Sequence, residues 1–225
     1  MNEKEWLTHV ATEEQLRQFN DEGYLIVEDA LSPELLGRLN TAVDRVEKME
    51  RESKGLGPDD MFSKFRTVVE DDTFLDLLDN PKTFPLLWDI LGWNIQLYIS
   101  HLIVYPPEPQ GVEVREGGWH QDGGRPVPEM ERPHPRLSLK ISYWLSDVSE
   151  PERGAMEIVP GSHKLDHKPE ACDSGEGVMP VCVKPGTAVL FDGCCVVALV
   201  AGLQPQCGCL GWDDCCGGTG DRIRL

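Results

Sequence analysis

The sequence predicts an α+β protein, helical at first and mainly β thereafter, with a second half that closes as a sandwich or barrel. Three observations carry this. Up to about residue 93 the apolar residues recur mostly at helical spacing. From Asn94 onward, β-forming residues gather in short runs separated by Gly and Pro. No repeat and no linker-like stretch divides the 225 residues. One domain over 1–225 is therefore expected, with a mainly helical flank (1–93), a β core (94–193) and a compositionally atypical tail (194–225).

The elements follow in order. Thr12 followed by Gln15 has the form of a capping box, with Leu16 and Phe19 behind it at helical spacing. Gly23 to Val27 is a short strand. Ser32 as N-cap and Pro33 at the first helical position start a second helix, which runs to about Met49 with Leu35, Leu36, Leu39, Val43 and Val46 on one face. Phe65 to Val69 is a candidate strand. Asp72 to Leu91 is helical in pattern and broken at Asn80-Pro81. Asn94 to Tyr105, Leu137 to Leu145, Ala155 to Val159, Val178 to Val183 and Ala188 to Phe191 are the strands of the second half.

Composition excludes some functions. Lys plus Arg number 21 against 39 Asp plus Glu, a net charge of −18. Nucleic-acid binding and anionic-membrane binding both need a basic face, so neither is expected. No apolar run approaches the roughly 20 residues needed to cross a bilayer, and the first residues are polar and acidic, so a cytoplasmic location is expected. The eight cysteines all lie at or after Cys172, six of them between Cys194 and Cys216. A disulfide scaffold would spread them over the fold.

The chemistry points to Gly117-Gly118-Trp119-His120-Gln121-Asp122-Gly123. Residues i and i+2 of a strand project to one face, so an imidazole and a carboxylate would share a cavity. With a second histidine from another strand they would form a 2-His-1-carboxylate face, which leaves open positions on Fe(II). On its own, His-x-Asp arises often by chance as an inert loop pair. Lys64 reads equally well as a solvated surface lysine. Leu102 reads first as core. Trp119 and Trp144 read as packing residues. His101 alternates with apolar neighbours and faces either cavity or solvent. His163 reads as part of a turn, and His134 with Arg132 and Arg136 as a loop.

Longer segments give the motif its context: FNDEGYLIVEDALSPE, KFRTVVEDD, SHLIVYPP leading into GGWHQDG, RLSLKISYWLSDVSEPERGAMEIVPGSHK and KPGTAVLFDG. In this order and spacing, from Leu16 to Asp192, the chain resembles the phytanoyl-CoA dioxygenase family of Fe(II)/2-oxoglutarate-dependent oxygenases. The resemblance implies a double-stranded β-helix (a cupin-like jelly roll) with helices packed outside. It implies His120 and Asp122 as two of three iron ligands, Lys64, Leu102 and Ser142 as cosubstrate-binding positions, and Fe(II), 2-oxoglutarate, molecular oxygen and a small-molecule or lipid-like substrate as partners.

The chain departs from the family after Leu190-Phe191-Asp192-Gly193. The family carries its third iron ligand, a histidine, shortly after this segment, and an arginine for the far carboxylate of 2-oxoglutarate later. Here no histidine follows His167. Arg222 and Arg224 stand in no matching context. Cys194-Cys195, Cys207-Gly208-Cys209 and Cys215-Cys216 replace the expected pattern. The last strands are expected to be disrupted and the tail from about residue 200 to be poorly packed. Three readings of the tail stand: a thiolate metal site, although its spacings are not those of a zinc knuckle; a disulfide cluster; and a frameshift. Val196-Val197-Ala198-Leu199 can be encoded by GTG GTG GCA CTC, which one base later reads Trp-Trp-His. The function expected is that of the family, diminished or lost in this chain. The alternatives are a non-catalytic binding protein on the same fold, or a thiolate metal or redox protein.

Overall fold

Two capped helices open the chain. In the computed structural model, which describes residues 7–106, 118–122, 135–165, 167, 169–199 and 223–224, Thr12 caps α1 (Glu13–Glu22): its Oγ1 accepts the Gln15 N–H while the Gln15 side chain accepts the Thr12 N–H. Ser32 caps α2 (Pro33–Lys54) by accepting the Leu35 N–H. Between them lies β1 (Tyr24–Val27). Helix α2 runs past Met49 to Lys54, because Arg51 ties its last turn to the loop beyond. Arg51 pairs with the buried Glu47 at 2.7 Å and donates to the Asp60 carbonyl.

The next segment differs from expectation. The strand is β2 (Phe62–Phe65), not Phe65 to Val69. Arg66 takes a left-handed conformation (φ 64°) and donates its N–H to Ser100 O, which ends the ladder, and a short 3-10 turn, Thr67–Val69, follows. The Asp72 to Leu91 pattern splits into a 3-10 helix, Asp72–Leu77, and α3 (Phe84–Leu91). Buried Asn80 sits at the break: it donates to Ala30 O and accepts from the Lys82 and Thr83 N–H groups. Residues 92–100 form no strand, and β3 begins only at His101 (His101–Tyr105), because β2 offers it pairing partners only from there.

The remaining elements are β4 (His120–Gln121), β5 (Leu139–Tyr143), β6 (Met156–Ile158), a one-turn helix α4 (Ala171–Ser174), β7 (Met179–Val181), β8 (Ala188–Asp192), β9 (Val196–Leu199) and β10 (Ile223–Arg224). They pair antiparallel in three sheets, ordered β1-β8-β5, β10-β3-β2 and β4-β9-β6-β7. This is the expected α+β fold with a mainly β, double-stranded β-helix core flanked by the N-terminal helices, and the sheets do not close into a full barrel among the described residues. No helix is long and apolar enough to cross a membrane among the described residues.

β8 is central and buried along its whole length. Val189 and Phe191 point inward, joining Tyr24, Trp144, Ile158, Val181 and Val197 in a cluster between the sheets. Ala188 and Leu190 point outward, under Phe19 of α1 and Leu86 of α3. A third cluster packs Leu39, Val43 and Val46 of α2 against Phe62, Leu102 and Val104. Each fully buried large side chain contributes about 1.5–3 kcal/mol.

Of the last strands, expected to be disrupted, β9 is formed. Val196 and Val197 are β-branched and stay in the sheet as part of β9. The Val196 N–H donates to Ser162 Oγ at 2.8 Å, and its carbonyl accepts from Val159. The tail from 200 to 222, on which the expectation of poor packing falls, lies outside the described residues.

Two predictions follow from this packing. Gly23 ends α1 at φ 87°, and a Cβ there would overlap His163 Nδ1 and Cys195 Sγ. Gly23→Ala is expected to destabilise the fold by more than ~1 kcal/mol, read as a lower midpoint in thermal unfolding. Asp71 accepts from the Thr73 N–H and from Arg45, which holds its carboxyl down at about 2, against an ordinary value of 3.8. Its contribution is complete above the ordinary value and is lost as pH falls toward 2. Asp71→Asn is expected to flatten the acid limb of a stability–pH curve in this window, and an unchanged limb would refute it.

Candidate active site

The site is built by strand register. In β4, His120 pairs with Val197 of β9, and Val197 in turn pairs with Ile158 of β6. Directly paired residues of antiparallel strands share a face. Val197 and Ile158 both belong to the central cluster, so the His120 side chain is turned to the interior. Gln121 is turned the other way and donates to Cys194 O at 2.6 Å, locking the short strand to the chain after β8. His120 Nδ1 lies 2.9 Å from Gly118 O. That contact leaves Nε2 directed at Asp122, 3.7 Å from Oδ1. The imidazole and carboxylate therefore meet on one side, at the rim of the apolar interior, with half of the His120 side chain exposed.

The β2–β3 ladder forms a neighbouring wall. Phe62 and Lys64 pair with Val104 and Leu102 and face α2. Ser63 and Phe65 pair with Ile103 and His101 and face the other way, the side on which Tyr105 packs against the central cluster. His101 stacks on Phe65 at 4.0 Å, and its Nε2 lies 2.7 Å from Ser63 Oγ. Burial pushes the His101 imidazole below its ordinary value, and Lys140 adds to the push, while Asp122 opposes it. His101, Lys140 and Asp122 thus share one electrostatic environment.

The positions singled out in the sequence fall in two places. His120, Asp122 and Ser142 are on interior faces; Ser142 pairs with Val189 of the central cluster. Lys64 and Leu102 are on the α2 side of the ladder. Lys64 Nζ pairs with Glu50 and, at 3.0 Å, with Glu70, which raises its pKa and lowers that of Glu50. Leu102 is buried against α2. His101 is exposed on the face of the ladder that points away from α2. Trp144 is fully buried packing. His163 Nε2 lies 3.2 Å from Asn20 O, a structural contact. Arg136 pairs with Asp192 at 2.9 Å and lies over the Phe19 ring, which makes it a clamp on the end of β8. His134 and Arg132 lie outside the described residues. Ser63, Phe65, Tyr98 and Lys140 were missed. Lys140 was within reach of the same strand parity that places Ser142.

Among the described residues no third His, Cys, Asp or Glu joins His120 and Asp122 in a metal-binding group. Cys194 and Cys195 form no such site. Cys195 Sγ is buried and lies 3.3 Å from Gly23 O, and burial pushes its thiol up to about 12. Cys207, Cys209, Cys215 and Cys216 lie outside the described residues.

Comparison with known proteins assigns the chain to a family. The profile of the family described as Phytanoyl-CoA dioxygenase (PhyH) matches residues 19–198, most of the chain. The chain belongs to the PhyH family. A curated relative, a probable alpha-ketoglutarate-dependent hypophosphite dioxygenase of Stutzerimonas stutzeri, is 29% identical over 174 residues, which is 69% of this chain and 56% of the relative. The chain spans about half the length of the curated relatives it matches. Among solved structures, the non-heme alpha-ketoglutarate-dependent carbocyclase SnoK from nogalamycin biosynthesis superposes with a TM-score of 0.69 at 18% identity, over 95% of this chain and 81% of that one. EctD from S. alaskensis with bound Fe superposes at 0.67 and 20% identity, over 95% of this chain and 74% of that one. At these identities the two structures speak for the fold alone.

The two adjacent thiols make the local packing testable. In the native protein Cys194 is expected to be alkylated markedly faster than Cys195, read by peptide mass spectrometry after timed iodoacetamide exposure. Equal rates would show that the Gly23–Cys195–His163 packing is wrong.

Proposed function

We propose that this chain carries an Fe(II)/2-oxoglutarate-dependent dioxygenase site for an unidentified small molecule, with His120 and Asp122 as the metal ligands. The observation that carries the reading is their convergence, Nε2 to Oδ1 at 3.7 Å, on the interior face set by the His120–Val197 pair. Imidazole nitrogen and carboxylate oxygen are donors suited to Fe(II). Family membership supports the chemistry, and the alpha-ketoglutarate dependence of the hypophosphite dioxygenase it resembles supports the cosubstrate.

Fe(II) bound there supplies oxidation of a substrate C–H bond by molecular oxygen, coupled to decarboxylation of 2-oxoglutarate to succinate. The chain's own residues do the rest. Gly118 O fixes the His120 ring, and Gln121 pins β4 to Cys194. The central cluster keeps the interior side dry. Ser142 offers a hydroxyl from β5, while Lys64 and Leu102 act from behind, holding the wall that carries His101.

Val197 occupies the interior position directly across from His120, where a third donor would complete the face. With two ligands the metal is held weakly and turnover is slow or absent. This observation also favours a second reading, a ligand-binding protein on the same fold that consumes no oxygen. The shifted reading frame described above would place a histidine at about position 198, next to Val197 in this strand.

Anaerobic Fe(II) titration tests the proposal. Wild type is expected to bind one Fe(II) saturably, and His120→Ala and Asp122→Ala are expected to lose it at an unchanged melting temperature. Val197→His is expected to tighten binding by at least about tenfold, the lower end of what even an outer-shell partner contributes, and to raise succinate formation. If only Val197→His binds Fe(II), the second reading is correct for the natural chain. If no variant binds, the site assignment fails.

A further inference from the structure

β5 turns alternate residues inward. Lys140 pairs with Phe191 and Ser142 with Val189, and both partners lie in the central cluster, so Lys140 and Ser142 share the inward face two residues apart. A lysine on an inward face is costly unless an anion or a π-face meets it. The Lys140 ammonium lies 5.1 Å from the centroid of the Tyr98 ring, and Tyr98 is itself 58% exposed. Lys140 forms no ion pair among the described residues, whereas Lys64, Arg136 and Lys164 each have a carboxylate partner. The charge of Lys140 also reaches His101, where Asp122 acts in the opposite sense. Among the described residues, a cation without a carboxylate partner thus stands on the inward face of β5, as His120 stands on that of β4.

We propose that Lys140, with the Ser142 hydroxyl beside it, is the carboxylate-binding group of this cavity. Lysine offers three donors on a mobile stem and serine one more, enough to take both oxygens of a carboxylate. The proposal rests on the reading that the cavity accepts 2-oxoglutarate. The carboxylate comes either from the far end of that oxodiacid or from an acidic substrate. It also gives the chain a cation for this task within the β core, independent of the residues after Gly193.

Isothermal titration of full-length protein under anaerobic Fe(II) tests it, with 2-oxoglutarate, pyruvate and succinate as probes and with Lys140→Met, Lys140→Arg and Ser142→Ala as variants. Lys140→Met is expected to weaken 2-oxoglutarate binding at least about tenfold, the scale of one lost charge-assisted hydrogen bond. Lys140→Arg is expected to keep most of the affinity, and Fe(II) binding is expected to be unchanged in both. A loss confined to 2-oxoglutarate, with pyruvate unaffected, assigns the far carboxylate of the oxodiacid. A loss for succinate titrated into protein already holding 2-oxoglutarate assigns an acidic substrate. Equal affinities of wild type and Lys140→Met for all three probes overturn the proposal while leaving the metal site standing. Absent Fe(II) binding with Lys140-dependent 2-oxoglutarate binding would instead fail the dioxygenase reading and keep the carboxylate site.

Discussion

Everything in this molecule depends on the inside–outside alternation of β8. The strand is covered on both faces, so each residue has one allowed side. Val189 and Phe191 look into the space between the sheets, and Ala188 and Leu190 look out to α1 and α3. A slip of one residue would bury the wrong set and turn β5 over with it, because β5 is paired to β8 residue by residue. That register decides that Ser142 and Lys140 face the cavity while Leu139, Ile141 and Tyr143 face the helices.

The same logic reaches the site through β9. Val197 belongs to the central cluster and pairs directly with His120, so a two-residue strand inherits its orientation from a longer one. A strand as short as β4 cannot fix its own register. The Gln121 contact to Cys194 and the Gly118 contact to the His120 ring supply what the ladder lacks. Placement of the imidazole and the carboxylate is thus a property of the whole β core rather than of the His-x-Asp motif.

The helices hold that core from outside by polar as well as apolar contacts. Tyr143 donates to Leu77 O and lies 2.7 Å from Thr83 Oγ1, tying β5 to the segment before α3. Glu50 of α2 and Glu70 fix Lys64 on the back of β2. Arg136 closes the end of β8 by pairing with buried Asp192. Among the described residues, Arg51, Lys64 and Arg136 serve as structural ties to carboxylates, whereas Lys140 is turned toward the interior without one.

The sequence by itself determined the order of elements, the caps at Thr12 and Ser32, the strands read at Gly23 to Val27 and Ala188 to Phe191, the His120-x-Asp122 motif and the lack of a histidine beyond His167. These are local facts, carried by turn chemistry, by side-chain periodicity and by residue identity. Tertiary structure decided the rest. Whether Lys64 looks into the cavity or at Glu50 depends on which face of a ladder meets α2, and a four-residue strand does not declare that in its own residues. Lys140 becomes a cavity residue only because Phe191, far along the chain, pairs with it. Val196 and Val197, next to a Cys- and Gly-rich stretch, remain in a strand because β4 and β6 on either side supply the hydrogen bonds and the apolar cover that local composition does not reveal.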